Sequence, residues 1–487
     1  MVDILNELQS IDINDTLPNV INGELIKSNN TIDKSNPING EVQYKVSNTS
    51  KEELKKAVET AVEAKNKWSS INSIDRGKIL LNSANLIEKY EKEISYISTL
   101  DSGKSLEESS GETSGSIQLA QYFGTEGMRN HGRTLESGLS GKKTIVTRMP
   151  LGVAGLITAF NSPLPNIAWK VYPALFCGNT VILKPSEYVP RVAIALAKIL
   201  EEAGLPKGTL NVVNGGGPGQ VGEWVVDSNK IDIVSFTGSY EVGKSVALKC
   251  SGNFKRYSLE LGGKNALVVH EDADLKNAID WTIKSSFSLS GQRCSSASRL
   301  FVHESIKEHF IDQLKKEMNL LIKERSSLIT CPIISKDSME KINSSIEEAV
   351  GRGASITKFE VKNQDGFFIQ PTLLSGLSNE DKINDKELFG PVATLSTYEN
   401  IDEVINSVNN SKFGLTASIH TMNINIANKF TENIRAGTVN VNLGTFGSEP
   451  HYPFGGFGYS GNGTREPGLE ALDVYSETKT ISTYSDL

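Results

Sequence analysis

Apolar positions along the chain change period three times. The first 50 residues are polar and rich in Asn, Ser and Thr, and within them "PNVINGELIKS" and "PINGEVQYKV" read as strand–turn–strand pieces with Asn-Gly at each turn. From residue 51 to 128 the period becomes helical. In "SKEELKKAVETAVEAKNKWSS", Ser50 is the expected N-cap, with acidic residues in the first turn. "SIDRGKILLNSANLIEKYEKEISYISTLDSG" repeats the pattern and stops at Gly103. "KKTIVTRMPLG" alternates like a strand. Residues 152 to 270 then carry short apolar runs, "GLITAF", "NTVILK", "TLNVVN", "IDIVSFTG" and "NALVVH", with amphipathic helices such as "RVAIALAKILEEAG" and "EVGKSVALKC" among them. Strands alternating with helices predict an α/β fold with a parallel sheet covered on both faces. Ligands in such sheets bind beyond the carboxyl ends of the strands.

A second set of strand–helix units follows Cys294: "SRLFVHESIKEHFIDQLKKEM", "VATLSTYENIDEVINSVNN" and "TASIHTMNINIANKFTENI". The tail from Gly455 is Gly-rich, then helical, and ends in a strand-like "TKTISTYSDL". No internal repeat is evident. The layout expected is two interleaved α/β domains with Cys294 near their boundary.

Composition narrows the function classes. A chain of 487 residues implies two to three domains. With 38% hydrophobic and 22% charged residues and a net charge of −8, it lacks the basic face that nucleic acid or an anionic membrane would want. The Lys-rich run from Lys315 to Arg325 reads as the solvated face of a helix. Cys177, Cys250, Cys294 and Cys331 have long, irregular spacings and no CxxC pair, which suggests a reduced, cytoplasmic protein. The amino-terminal residues lack a basic region followed by an apolar one, and no apolar run approaches a bilayer span. Six scattered histidines give no metal-ligand spacing, so no metal is expected.

Several stretches could carry chemistry, and each has a plain structural alternative. In "SGQRCSSAS", Cys294 is either a reactive thiol or a small filler. Glu260, at the end of the strand-like "SLEL" and before Gly262 and Gly263, could be a general base or a loop cap. Asn161, after "GLITAF", could donate to an oxyanion or form an Asx-turn before Pro163. Thr237, Gly238 and Ser239 lie between a strand and a helix, as do "ILKPSE" and "NGGGPG"; such turns can bind phosphate or be simple turns. None matches a dinucleotide fingerprint or a P-loop. "KELFGPV" offers Glu387 and Phe389 in a loop.

Taken together and in order, "FNSP", "KPSE", "FTGS", "LELGGK", "GQRC", "ELFGPV" and "PFGG...SGNG" resemble the aldehyde dehydrogenase superfamily over nearly the whole chain. The resemblance implies a Rossmann-like cofactor domain at 1–129 and 151–261, an α/β catalytic domain at 262–460, and a small β flap for oligomerisation at 130–150 and 461–487. It implies Cys294 as nucleophile, Glu260 as the base that activates water, and Asn161 with the Cys294 N–H as oxyanion hole. Lys170 and Glu477 would lie near Glu260, in its proton path. Cofactor positions would be Lys184, Glu187, Gly217, Thr237, Gly238, Ser239, Leu261, Gly262, Glu387 and Phe389. Glu187 favours NAD over NADP, and Lys184 leaves dual use open. The partner is a small aldehyde, and the assembly a homodimer or homotetramer.

The chain departs from the family pattern at the substrate tunnel. Phe160 and Ser162 flank Asn161 where the family usually has Trp and a second aromatic. With Arg293, Ser295 and His451 nearby, they suggest a polar, carboxylate-bearing semialdehyde; the alternative is that Arg293 turns into structure. The segment around Cys331 looks shortened and lacks a glutamine that usually faces the cofactor. Two other functions are alternatives: a CoA-acylating dehydrogenase, against which Glu260 argues, and a non-catalytic protein of the same fold, against which intact Cys294, Glu260 and Asn161 argue.

Overall fold

A computed structural model describes residues 1–217, 220–324, 326–329, 331–361 and 365–485. Arg325 of the Lys-rich run, Pro218 and Gly219 of "NGGGPG", and the last two residues of the tail lie outside the described residues.

Local signals set the helices. Ser50 begins Lys51–Ser69 with a reciprocal capping box: its hydroxyl accepts from the Glu53 N–H at 3.1 Å, and the Glu53 carboxylate accepts from the Ser50 N–H at 2.7 Å. The next helical stretch is two helices, Ser73–Lys89 and Glu91–Ser102, broken at Tyr90. The second ends at Gly103, whose φ of 72° makes a left-handed cap. Leu106–Thr125 follows. Asn22 and Gly23, with φ of 56° and 76°, form the two-residue turn between Asn19–Ile21 and Glu24–Ile26.

Two seven-stranded sheets form the body. The first runs Arg256–Glu260, Ile233–Thr237, Val153–Ile157, Thr180–Lys184, Leu210–Val212, then the antiparallel pair Asn19–Ile21 and Glu24–Ile26. Its first five strands are parallel. Chain order reverses at Val153–Ile157, so a crevice opens where the strand ends diverge. The second sheet runs Ser355–Lys358, Thr372–Ser375, Val392–Tyr398, Ala297–His303, Asn265–Val269, Thr416–His420 and Thr438–Val441, parallel except at its first edge. Central strands of both sheets are buried along their whole length, as expected where helices cover both faces. The Lys-rich helix Lys307–Lys323 buries only Phe310, Leu314 and Met318 and turns its other side to solvent.

A three-stranded antiparallel sheet joins Arg133–Leu135, Lys142–Pro150 and Ser476–Tyr484. The tail enters it only at Ser476. Residues before that point, among them Ala471, Leu472, Val474 and Tyr475, are packed into the core beside the first large sheet. Among the described residues no helix is long and apolar enough to cross a membrane.

Candidate active site

Glu260 is the last residue of one large sheet, and Asn265 is the first of the other. Four residues join them. The carboxyl ends of the first sheet therefore face the amino ends of the second, and the Cys294 loop enters the strand Ala297–His303 at this seam.

The loop holds an unusual backbone. Leu289, Ser290 and Gly291 have φ of 52°, 50° and 65°, three left-handed residues in a row, and only glycine adopts that conformation freely. A Cβ on Gly291 would collide with the Gly390 carbonyl. Side chains hold the strained turn. The Gln292 amide donates to the carbonyls of Leu289 at 3.2 Å and Pro332 at 2.9 Å and accepts from the Ile334 N–H at 3.0 Å. The Ser290 hydroxyl donates to the Cys331 carbonyl. Asn265 Nδ2 donates to the carbonyls of Cys294 at 2.7 Å and Ser296 at 2.9 Å, and the Thr445 hydroxyl donates to the Ser295 carbonyl at 2.6 Å. The segment around Cys331 thus braces the Cys294 loop.

Burial pushes the Cys294 thiol up to about 12, and the carboxylates of Glu387 and Glu260 push the same way. The N–H groups of Ser295 and Cys294 pull it down. Glu260 is 5% exposed, and neither of its carboxylate oxygens has a hydrogen-bond partner among the described residues. Burial, then the negative field of Glu466, hold its carboxyl well above the usual range, against Lys170 and Arg465. A buried carboxyl with free oxygens beside a thiol is suited to exchange protons with a water molecule.

Lys170, on the helix Pro163–Phe176, does lie near Glu260. Its Nζ donates to Ser235 Oγ at 2.6 Å and to Glu466 at 2.8 Å. Glu466 also accepts from the hydroxyls of Ser235 at 3.0 Å and Tyr475 at 2.8 Å. The expectation for Glu477 is corrected here. Glu477 sits exposed on the strand Ser476–Tyr484, opposite Met149. The acid that meets Lys170 is Glu466, because the chain folds back into the core at Glu466 and leaves it before Glu477. Its sequence signal is weak: an acid in a Gly-rich stretch before Pro467.

Asn161 follows the strand Val153–Ile157. Its Oδ1 accepts from Asn166 Nδ2 at 2.9 Å, and its main-chain carbonyl accepts from Lys104 Nζ at 2.7 Å. The orientation of the amide is fixed through its oxygen. Among the described residues no acceptor engages Nδ2, so that group remains to donate.

Several expected cofactor positions gather at the carboxyl edge of the first sheet. Lys184 ends Thr180–Lys184, and its Nζ lies 3.1 Å from the Glu187 carboxylate. Gly216 lies against Glu187, where a Cβ would press on that carboxylate, and Gly217 is exposed with φ of 87°. Thr237 ends a strand, Gly238 packs on the Phe236 ring, and Ser239 caps Tyr240–Ser251 by accepting from the Val242 N–H at 3.4 Å. Glu387 accepts from the Gly263 N–H at 2.9 Å. Burial raises its carboxyl to about 7, against the Gly263 N–H and Lys264. A Cβ on Gly262 would collide with that carboxylate, and Leu261 donates its N–H to the Ser460 carbonyl at 3.0 Å. Phe389 is left-handed with φ of 56°.

Phe160 is a second correction. It was expected in the substrate tunnel, but its ring packs edge-on against Phe389 at 5.6 Å and Tyr188 at 5.8 Å, with the cofactor candidates. Ser162 is half-buried at the start of Pro163–Phe176. Ser295 is buried and used through its carbonyl. His451 is exposed, 3.9 Å from Glu449 and stacked edgewise on Tyr452. Arg293 lies over the Phe446 ring at 4.7 Å, with one amino group on the Ser288 hydroxyl. Lys104, Glu108, Glu112, Asn265 and Glu466 were not foreseen. None stands in a motif, and each is brought in by packing.

A buried thiol, a buried carboxyl with free oxygens and an amide held through its oxygen lie near the carboxyl edge of the first sheet. A family model described as the aldehyde dehydrogenase family matches residues 25–481. The chain belongs to the aldehyde dehydrogenase family, enzymes that oxidise an aldehyde to the carboxylic acid through a cysteine-bound thiohemiacetal and thioester. Its relatives include an alpha-ketoglutaric semialdehyde dehydrogenase of Bacillus subtilis, 37% identical over 96% of this chain and 98% of the relative. They also include a human 2-aminomuconic semialdehyde dehydrogenase, 34% identical over 96% and 98%. A crystal structure of betaine aldehyde dehydrogenase from Staphylococcus aureus in complex with NAD+ superposes with a TM-score of 0.93 at 31% identity, covering 100% of this chain and 98% of that one.

Proposed function

We propose that this aldehyde dehydrogenase oxidises a short aldehyde bearing a carboxylate at its far end, with NAD as hydride acceptor. The observation that carries the substrate class is Arg293. Its guanidinium is the residue next to the nucleophile, one-fifth exposed, with one amino group free of any hydrogen bond among the described residues. A fixed guanidinium is the preferred partner of a carboxylate. The names of the two semialdehyde dehydrogenases among the relatives fit the same class.

The residues present fit a dinucleotide. The Glu187 carboxylate can accept from ribose hydroxyls and disfavours a 2′-phosphate, while Lys184 beside it gives NADP a weaker hold. The exposed Gly217 and the N-terminus of Tyr240–Ser251 suit a pyrophosphate, and buried Glu387 suits the second ribose. NAD bound there supplies the hydride acceptor. Cys294 gives its thiol proton to a water molecule and its sulfur attacks the carbonyl carbon. Asn161 Nδ2 and the Cys294 N–H donate to the oxyanion, each worth about 3–4 kcal/mol in the transition state. Loss of hydride from the tetrahedral carbon leaves a thioester on Cys294. Glu260 takes a proton from the water that cleaves it, with Lys170, Glu466, Ser235 and Tyr475 beneath as a polar relay. The free oxygens of Glu260 favour water over CoA as acceptor.

We assign cofactor binding to residues 1–129 and 151–261 and catalysis to 262–460. A flap of 130–150 with 476–485 would join copies into a homodimer or homotetramer, since Glu466, Ala471, Leu472, Val474 and Tyr475 before it are buried in the body. The unpaired cysteines fit a reducing cytoplasm. The test is turnover of succinic semialdehyde, butyraldehyde and betaine aldehyde with NAD+ or NADP+, with Cys294→Ala as control. Preference for succinic semialdehyde with NAD+, absent in the variant, is expected. Preference for betaine aldehyde, or turnover that needs CoA, would overturn the proposal.

A further inference from the structure

The helix Leu106–Thr125 sets Glu108 and Glu112 one turn apart, facing two cations. One pair is closed: Lys104 Nζ lies 2.5 Å from Glu112 and 2.7 Å from the Asn161 carbonyl. The other is open. Arg293 Nη2 lies 3.9 Å from Glu108 Oε1, beyond hydrogen-bond reach, and Glu108 Oε2 is buried without a partner among the described residues. Arg293 is meanwhile held by the Phe446 ring and the Ser288 hydroxyl, so it does not simply swing over to Glu108. A positioned guanidinium and an unsatisfied carboxyl thus stand a short gap apart, one residue from the nucleophile.

We propose that Glu108 is a specificity-determining residue which, in its protonated form, joins Arg293 in donating hydrogen bonds to the substrate carboxylate. This rests on the reading of Arg293 as the substrate's anchor. The charge balance requires the proton. With both acids ionised, Lys104, Arg293, Glu108 and Glu112 sum to zero, and an arriving carboxylate would leave an uncompensated negative charge in a largely buried site. A proton from solvent on Glu108 restores neutrality and turns an acceptor that would repel the substrate into a donor.

The groups that face Glu108 are Glu107 and Glu112 on its own helix, Lys104 before it, Arg293 from the nucleophile loop and Cys331 from the segment beneath. Burial raises the Glu108 carboxyl to about 7, with Arg293 and Lys104 pulling down and Glu112 and Glu107 pushing up. The proton is therefore available near neutral pH. Glu112 also has one buried oxygen without a partner among the described residues, but its other oxygen is taken by Lys104, whereas neither oxygen of Glu108 is within hydrogen-bond reach of a cation.

The sign follows. The carboxylate-binding form is the protonated one, nearly full at pH 6, half populated near pH 7 and mostly lost by pH 8. The experiment compares succinic semialdehyde with butyraldehyde, the same four-carbon aldehyde without the carboxylate, from pH 6 to pH 8 in wild type, Glu108→Gln and Arg293→Gln. Taking the ratio of the two kcat/KM values cancels titration of Cys294 and Glu260. In wild type the preference for the semialdehyde should fall about tenfold from pH 6 to pH 8, as a group titrating near 7 demands. The fall should appear in KM rather than kcat. Glutamine is a permanent donor, so in Glu108→Gln the preference should persist at pH 8 and lose its pH dependence. Calorimetry of glutarate binding in two buffers of different ionisation enthalpy should show uptake of close to one proton at pH 8 in wild type and none in Glu108→Gln. A flat wild-type ratio, or a Glu108→Gln ratio that still falls with pH, overturns the role of Glu108. If Arg293→Gln keeps the preference for the semialdehyde, the anchor reading itself fails.

Discussion

The Cys294 thiol keeps its proton because three effects add: burial, the Glu387 carboxylate and the Glu260 carboxylate. Alkylation by iodoacetamide should therefore accelerate with pH up to about pH 10 without a plateau, since only the thiolate reacts. Glu260→Gln removes one of the opposing charges and should move that profile to lower pH. A wild-type plateau near pH 8 would contradict this. The same variant should keep a first-turnover burst of reduced cofactor while steady turnover falls by roughly 10²- to 10⁴-fold, the usual worth of a general base. Loss of the burst as well would put Glu260 in the first step. Glu466→Ala leaves Lys170 buried and unpaired, and removing one member of a buried pair costs about 3–5 kcal/mol. Urea unfolding measures it, and a loss under about 1 kcal/mol would mean that water replaces Glu466. Cys294, Glu260 and Asn161 were legible because ordered motifs bracket them. Glu466 and Glu108 were not, because a lone acid carries no sign of what it will face after folding.

At the level of elements, legibility followed how local the cause was. The Ser50 cap and the Asn22-Gly23 turn are written in adjacent residues, and the structure has both. The break at Tyr90 has neither Gly nor Pro to mark it, and the sequence pattern runs through it. The nucleophile turn is the extreme case. Leu289 and Ser290 are poor choices for a left-handed backbone, and they hold it because Gln292 binds the Leu289 and Pro332 carbonyls and the Ser290 hydroxyl donates to the Cys331 carbonyl. Gly291→Ala should be destabilised by more than about 1–3 kcal/mol, the cost of one such residue, because its Cβ also collides with the Gly390 carbonyl, and should lose more activity than Ser50→Ala, whose missing cap costs about 1 kcal/mol far from the site. Thermal midpoints and kcat of the two variants check this; equal activities would show that the turn tolerates a side chain.

Across the whole molecule, two α/β halves meet carboxyl edge to amino edge, and the third sheet stands off them with apolar side chains in solvent. Leu135, Ile145, Ile481 and Tyr484 are exposed on it, and Ser476–Tyr484 is an open edge. Uncovered strand edges invite pairing with another chain. Ile481→Lys should lower the mass seen by light scattering toward that of one chain, while an unchanged mass would place the assembly surface elsewhere. By itself the sequence determined the α/β class, most of the succession of strands and helices and the family, and it singled out Cys294, Glu260 and Asn161 as candidates. These rest on periodicity and on motifs contiguous in the chain. Only the tertiary structure decided that Glu466 rather than Glu477 meets Lys170, that Phe160 sides with Phe389, and that Arg293 faces Glu108. Such pairings join residues 185 to 296 positions apart, and burial decides them: once water is excluded, charges and rings find partners only among what the two sheets bring to the seam.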